Sequence, residues 1–142
     1  MLAGSSGGGY VAASFAAKHP REISGLLLID SGAPFSNPPP DLAAASRNAD
    51  TIERKRFLEV EKDAWRTRAQ IRNIPMTVIS VDYGSDAADE NERLNAKRQK
   101  GWLTASSRAR QLVVQTGHVV HHDDPDLVIE QIEKVVNASR RK

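Results

Sequence analysis

No cysteine occurs among the 142 residues, which excludes disulfides, thiolate catalysis and zinc sites built on sulfur. No apolar run approaches membrane length. The longest, Gly25-Leu26-Leu27-Leu28-Ile29, falls far short of the roughly 20 residues a spanning helix needs. No basic segment precedes an apolar stretch at the N-terminus, so no secretory signal is read and a soluble, cytoplasmic protein is the default expectation. Charge of one sign is lacking as well: 20 Lys and Arg against 18 Asp and Glu leave a formal charge of +2. The two signs interleave, as in Glu53-Arg54-Lys55-Arg56 and Glu59-Val60-Glu61-Lys62. That is the pattern of a solvated helix face, and no nucleic-acid partner is expected. Only Ser139-Arg140-Arg141-Lys142 is locally basic, as a frayed terminus is. No internal repeat is found.

What is present is one domain's worth of chain, with 39% hydrophobic residues to form a core. A Gly- and Ser-rich run over residues 4–9 leads into Tyr10–Lys18, Ala-rich and free of breakers, which reads as a helix closed by Pro20. The apolar run Ile23–Ile29 reads as a strand covered on both faces. Pro34 and Pro38-Pro39-Pro40 mark a loop. From about Asp50 to Asn73 a highly charged helix carries Ile52, Phe57, Val60, Ala64 and Trp65 as its apolar face. Met76–Val81 reads as the next strand, Glu90 to Ser107 as a polar helix, and Gln111–Gln115 as the last strand. Asp124-Pro125 opens a final helix, with proline in the first turn where its missing N–H is harmless.

Strands alternating with helices mean βα units on a parallel sheet, an α/β fold. About three strands are clear. A glycine-rich turn of this kind follows a strand, yet only Met1-Leu2-Ala3 precede it, so the sequence reads as truncated. A sheet this narrow leaves unpaired edges, which predict association or aggregation through them.

Gly4-x-Ser6-x-Gly8 matches the nucleophile elbow. There a serine sits on a strained strand-to-helix turn, so the neighbours two before and two after it should be small. The N–H of Gly7, at the start of the following helix, becomes an oxyanion donor. A flexible linker is the competing reading of the same run, but Tyr10 onward continues it as a helix without a gap. Phosphate cradles are disfavoured, since neither G-x-G-x-x-G nor G-x-x-x-x-G-K-[ST] is present. Ser5 is the weaker nucleophile, because Ala3 rather than glycine stands two residues before it.

The runs Leu2–Tyr10, Ala16–Pro20 and Ile23–Asp30, with Pro75–Val81, Thr116-Gly117-His118 and Asp124–Val136, resemble in order the second half of the α/β-hydrolase family, from the elbow onward. The resemblance implies a partial α/β-hydrolase domain over 1–142, lacking the family's N-terminal strands, with 35–73 as a cap or lid insertion. It implies a serine hydrolase with an acyl-enzyme and a carboxylic ester as small-molecule substrate, without metal or cofactor. The catalytic set would be Ser6 as nucleophile, His118 as general base and Asp30 as the acid that orients it. The acid is the open position: Asp82, Asp86 and Asp89 lie after the next strand, where some family members place it. His121-His122 beside Asp123-Asp124 suggests a metal site, against which adjacent loop histidines facing solvent are the plainer reading. The family's upstream oxyanion loop has no counterpart, so the resemblance leaves both an active and an inactive chain open. The alternative is a non-catalytic remnant or interaction module.

Overall fold

The apolar strands dictate the architecture. A computed structural model describes residues 1–32, 51–88 and 90–140. The Pro34 to Pro40 loop and Asp89 lie outside the described residues. Four parallel strands form one sheet in the order β1-β2-β3-β4: β1 is Leu2–Ser5, β2 Leu26–Ile29, β3 Met76–Val81 and β4 Ala109–Val114. β1 is the strand beyond the three that are clear in the sequence. Leu2-Ala3-Gly4-Ser5 carries little strand propensity of its own. It becomes a strand because β2 offers an edge on which Leu2 pairs with Leu26 and Ser5 with Ile29.

β2 and β3 are buried along their whole length, as inner strands covered on both faces must be. Their side chains alternate between two cores. Leu26, Leu28, Met76 and Val78 face helix α1 (Gly7–Lys18) and helix α2 (Ile52–Thr67), with Tyr10, Ala13, Ala16, Ala64 and Trp102 between them. Leu27, Ile29, Ile79 and Val81 face the opposite side, with Val120 and Val128. The helices there are α5 (Val120–Asp123) and α6 (Pro125–Arg140). The edges are less covered, and Val113 on β4 is half exposed.

α1 ends at Lys18, before the His19-Pro20 pair, as the proline requires. Polar groups tie it to α2: Tyr10 donates to Glu61 at 3.2 Å, Ser14 bonds Asp63, and Lys18 pairs with Asp63 at 2.7 Å. The helix expected over 90–107 is broken into α3 (Glu90–Arg93), α4 (Asn95–Gln99) and a 3-10 turn over Lys100–Thr104. Among the described residues no helix is long and apolar enough to cross a membrane.

Candidate active site

β1 ends at Ser5, and the chain turns at once into α1 through Ser6, whose φ of 50° and ψ of −127° are unusual for a residue with a side chain. Such a conformation costs roughly 1–3 kcal/mol and persists only where the surroundings over-determine it. Here the Ser6 N–H is held by Ile29 O at 2.8 Å, and its carbonyl accepts from the Gly9 N–H at 3.1 Å. The glycines show why the turn is possible. A Cβ on Gly4 would lie 2.4 Å from Gly8 O, and one on Gly9 would lie 1.9 Å from Ser31 Oγ. Gly8 is different: nothing lies within 4 Å of its would-be Cβ. The crowded pair is therefore Gly4 and Gly9, not the Gly4 and Gly8 of the five-residue pattern, because Gly8 lies on the exposed side of the helix. Gly7 opens α1, and its N–H belongs to the first turn, where no intrahelical acceptor exists. A Cβ there would meet the ring of Phe57 at 2.5 Å, so α2 packs directly over the turn.

A positive φ recurs one strand along. Asp30 follows the last residue of β2 with φ 43°, and Ser6 and Asp30 are the positive-φ residues other than glycine among the described residues. The Asp30 N–H is held by Ile79 O at 2.7 Å. Its carboxylate is buried, with a side-chain exposure of 2%, and accepts five hydrogen bonds. Oδ1 receives the Val81 N–H at 3.1 Å, Asn95 Nδ2 at 2.7 Å and Gln99 Nε2 at 2.8 Å. Oδ2 receives Tyr83 OH at 2.9 Å and His118 Nδ1 at 2.7 Å. Burial alone would raise the Asp30 pKa, but the bonds from His118, Asn95, Val81 and Gln99 outweigh it and hold the carboxyl below the ordinary range. Burial and the neighbouring Asp30 charge push the Tyr83 phenol up, so it stays a donor.

His118 lies on the loop between β4 and α5, half exposed beside its buried partner. The loop is pinned by the Gly117 N–H, which donates to Asp123 Oδ2 at 2.8 Å. Among the described residues no hydrogen bond links the Ser6 hydroxyl to His118. A cavity of about 430 Å³ opens between the loops that follow β3 and β4, walled by Tyr83, Asp86, Thr116 and Gly117 among others, with neither His118 nor Ser6 in its lining.

Of the expected residues, the structure brings Asp30 and His118 into contact and sets Ser6 at the neighbouring strand end. Asp82 and Asp86 are exposed and engaged elsewhere: Asp82 accepts the Gly84 N–H at 3.1 Å, and Asp86 the Ser85 hydroxyl at 3.4 Å. His121 and His122 form an edge-to-face ring pair at 4.8 Å, and among the described residues no group of three His, Cys, Asp or Glu is arranged to hold a metal. Asn95 and Gln99 were missed, since two amides in a charged segment match no motif. Their spacing of four residues, which stacks them on one helix face, is the signal that could have found them.

No protein-family model and no curated protein sequence matches the chain. Solved structures do. A metagenome-derived lipolytic enzyme superposes over 99% of this chain and 64% of its own, with TM-score 0.65 and 17% identity. NosK from Streptomyces actuosus matches over 97% of this chain and 69% of its own, with TM-score 0.56 and 26% identity. MenH from S. aureus matches over 99% and 68%, with TM-score 0.62 and 14% identity. The chain thus spans less than two thirds of the lipolytic enzyme's length. The fold shared with these proteins is the α/β-hydrolase fold, in part.

Proposed function

We propose that this chain, with its partial α/β-hydrolase fold, is a serine hydrolase acting on carboxylic esters through an acyl-enzyme. The observation that carries the reading is the buried Asp30 carboxylate 2.7 Å from His118 Nδ1, one strand away from the strained Ser6 turn. Neighbours named as a lipolytic enzyme and an esterase support the ester class. Ser6 Oγ attacks the carbonyl carbon while His118 Nε2 takes the hydroxyl proton, and the Gly7 N–H donates to the oxyanion. Collapse breaks the bond to the alcohol oxygen, which leaves with the proton from His118. Water, deprotonated by the same imidazole, then attacks the acyl carbon and releases the acid and free Ser6. Asp30 holds the imidazole with its proton on Nδ1 and stabilises the imidazolium. This scheme draws on no metal or cofactor.

The segment 35–73 acts as the cap. Its described part, from residue 51, includes α2, whose half-exposed Phe57 sits against Gly7 and packs edge-on against Tyr10 at 5.9 Å. An aromatic ring at the mouth of the turn suits an apolar acyl group.

With p-nitrophenyl acetate or butyrate, the protein should release a burst of nitrophenol, and a fluorophosphonate probe should label it. Ser6→Ala should remove labelling and lower kcat on the order of 10⁴-fold or more. Equal labelling of both proteins, or no burst from either, would instead identify a non-catalytic remnant built on the same strand–helix units.

A further inference from the structure

The Asp30 carboxylate has two oxygens, and the five donors around it divide by origin. Oδ2 faces the outer groups, Tyr83 and His118. Oδ1 is clamped from within by the Val81 backbone and by the amides of Asn95 and Gln99, both on α4. The two amides are also locked to each other: Gln99 Nε2 donates to Asn95 Oδ1 at 2.8 Å, while Asn95 Nδ2 reaches Val81 O at 3.0 Å. Gln99 is 1% exposed, and its own Oε1 has no hydrogen-bond partner. Flipping the amide would not help, since it would turn Oε1 toward two other oxygens, the Asp30 carboxylate and Asn95 Oδ1. A buried glutamine chosen for stability alone would satisfy both ends. This one leaves its oxygen unpartnered and spends its donor on Asp30.

We infer that Asn95 and Gln99 are positioning residues that fix the rotation of the Asp30 carboxylate, so that Oδ2 alone is presented to His118 and the imidazole keeps its proton on Nδ1. This deepens the serine hydrolase reading and rests on it for its catalytic consequence. Without the clamp the carboxylate can rotate about its last bond, and the histidine relaxes toward the Nε2–H tautomer, in which the nitrogen needed as base is already protonated. The other groups around the carboxylate cannot replace the clamp. Val81 offers a single N–H, and Tyr83 binds the oxygen that His118 uses.

The test is Gln99→Met, which keeps the volume and removes the donor, with Asn95→Ala as an independent probe of the same clamp. Nitrogen-15 shifts of the His118 ring should report the Nδ1–H tautomer in the wild type and a shift toward Nε2–H in each folded variant. With activated esters, kcat should fall about 10- to 100-fold, the scale of a misplacement near 1 Å, with KM changed much less. A folded Gln99→Met protein with wild-type tautomer and kcat overturns the inference, and so does Asn95→Ala with the same result should Gln99→Met not fold. If Ser6→Ala keeps full activity, the hydrolase reading falls, whereas the tautomer still decides whether the clamp orients Asp30.

Discussion

Ser6 and Asp30 occupy equivalent places on neighbouring strands and are held in opposite ways. Each follows the last residue of its strand, each has positive φ, and each N–H is fixed by a carbonyl of the next strand. Beyond the backbone they diverge. The Asp30 carboxylate is saturated by five donors, whereas the Ser6 hydroxyl lacks even a cap bond to its own helix. The difference follows from charge. A buried carboxylate must be compensated at every lone pair or it takes up a proton. A neutral hydroxyl needs only to be presented, and backbone strain with glycine crowding suffices for that.

The comparison can be broken most forcefully at Asp30. Asp30→Asn keeps the shape but turns acceptors into donors facing Tyr83 and His118. It should lower kcat on the order of 10³- to 10⁴-fold, with the protein still folded by circular dichroism. A loss no larger than about threefold would mean that His118 does not depend on it. The next effect concerns the backbone of the turn. Gly4→Ala, with its Cβ driven to 2.4 Å from a backbone oxygen, should lower stability by more than the roughly 1–3 kcal/mol of ordinary overpacking. Gly8→Ala, where the space is open, should leave it unchanged or raise it by up to about 1 kcal/mol. Equal urea midpoints for the two variants would undo the argument that the turn is held by crowding at Gly4.

The smallest effect is in acid. Because the folded-state pKa of Asp30 lies below its unfolded value, near 3.9, its ionised form adds stability. That contribution is complete above the unfolded value and disappears as the pH falls through the lower folded one. The stability difference between wild type and Asp30→Asn should therefore hold constant at neutral pH and shrink below about pH 4. A difference that stays level down to pH 2 would show that the cage does not favour the charged form.

The parallel sheet and the sharp turn at Ser6 were legible because they rest on local chemistry: a continuous apolar run at Leu26–Ile29, and glycines that allow a serine to take such a turn. β1 was not recognised, since Leu2–Ser5 contains no β-branched residue and is a strand only by virtue of its neighbour. The break at Leu94 was hidden as well. A charged segment shows no period, and the amides at Asn95 and Gln99 are drawn to a carboxylate 65 and 69 residues away in the chain. Asp30 and His118 lie 88 residues apart, and their meeting depends on the order in which the strands pair. Spacing in a sequence cannot express that order. The requirement for a small residue at Gly8 was a property of the pattern, and the real constraint lies at Gly9, where Ser31 approaches.

The pairing of Ser5 with Ile29 also makes the leucines of β2 a kind of ruler for the proposed reaction. Slipping β1 along β2 by one residue would carry Ser6 about 3.3 Å, well beyond the tolerance of acyl transfer, and would turn Leu2 to the wrong face of the sheet. The misalignment that would silence the proposed chemistry is thus the one the hydrophobic core refuses first. On the proposed mechanism, errors of catalysis and errors of folding share a single checkpoint at this edge.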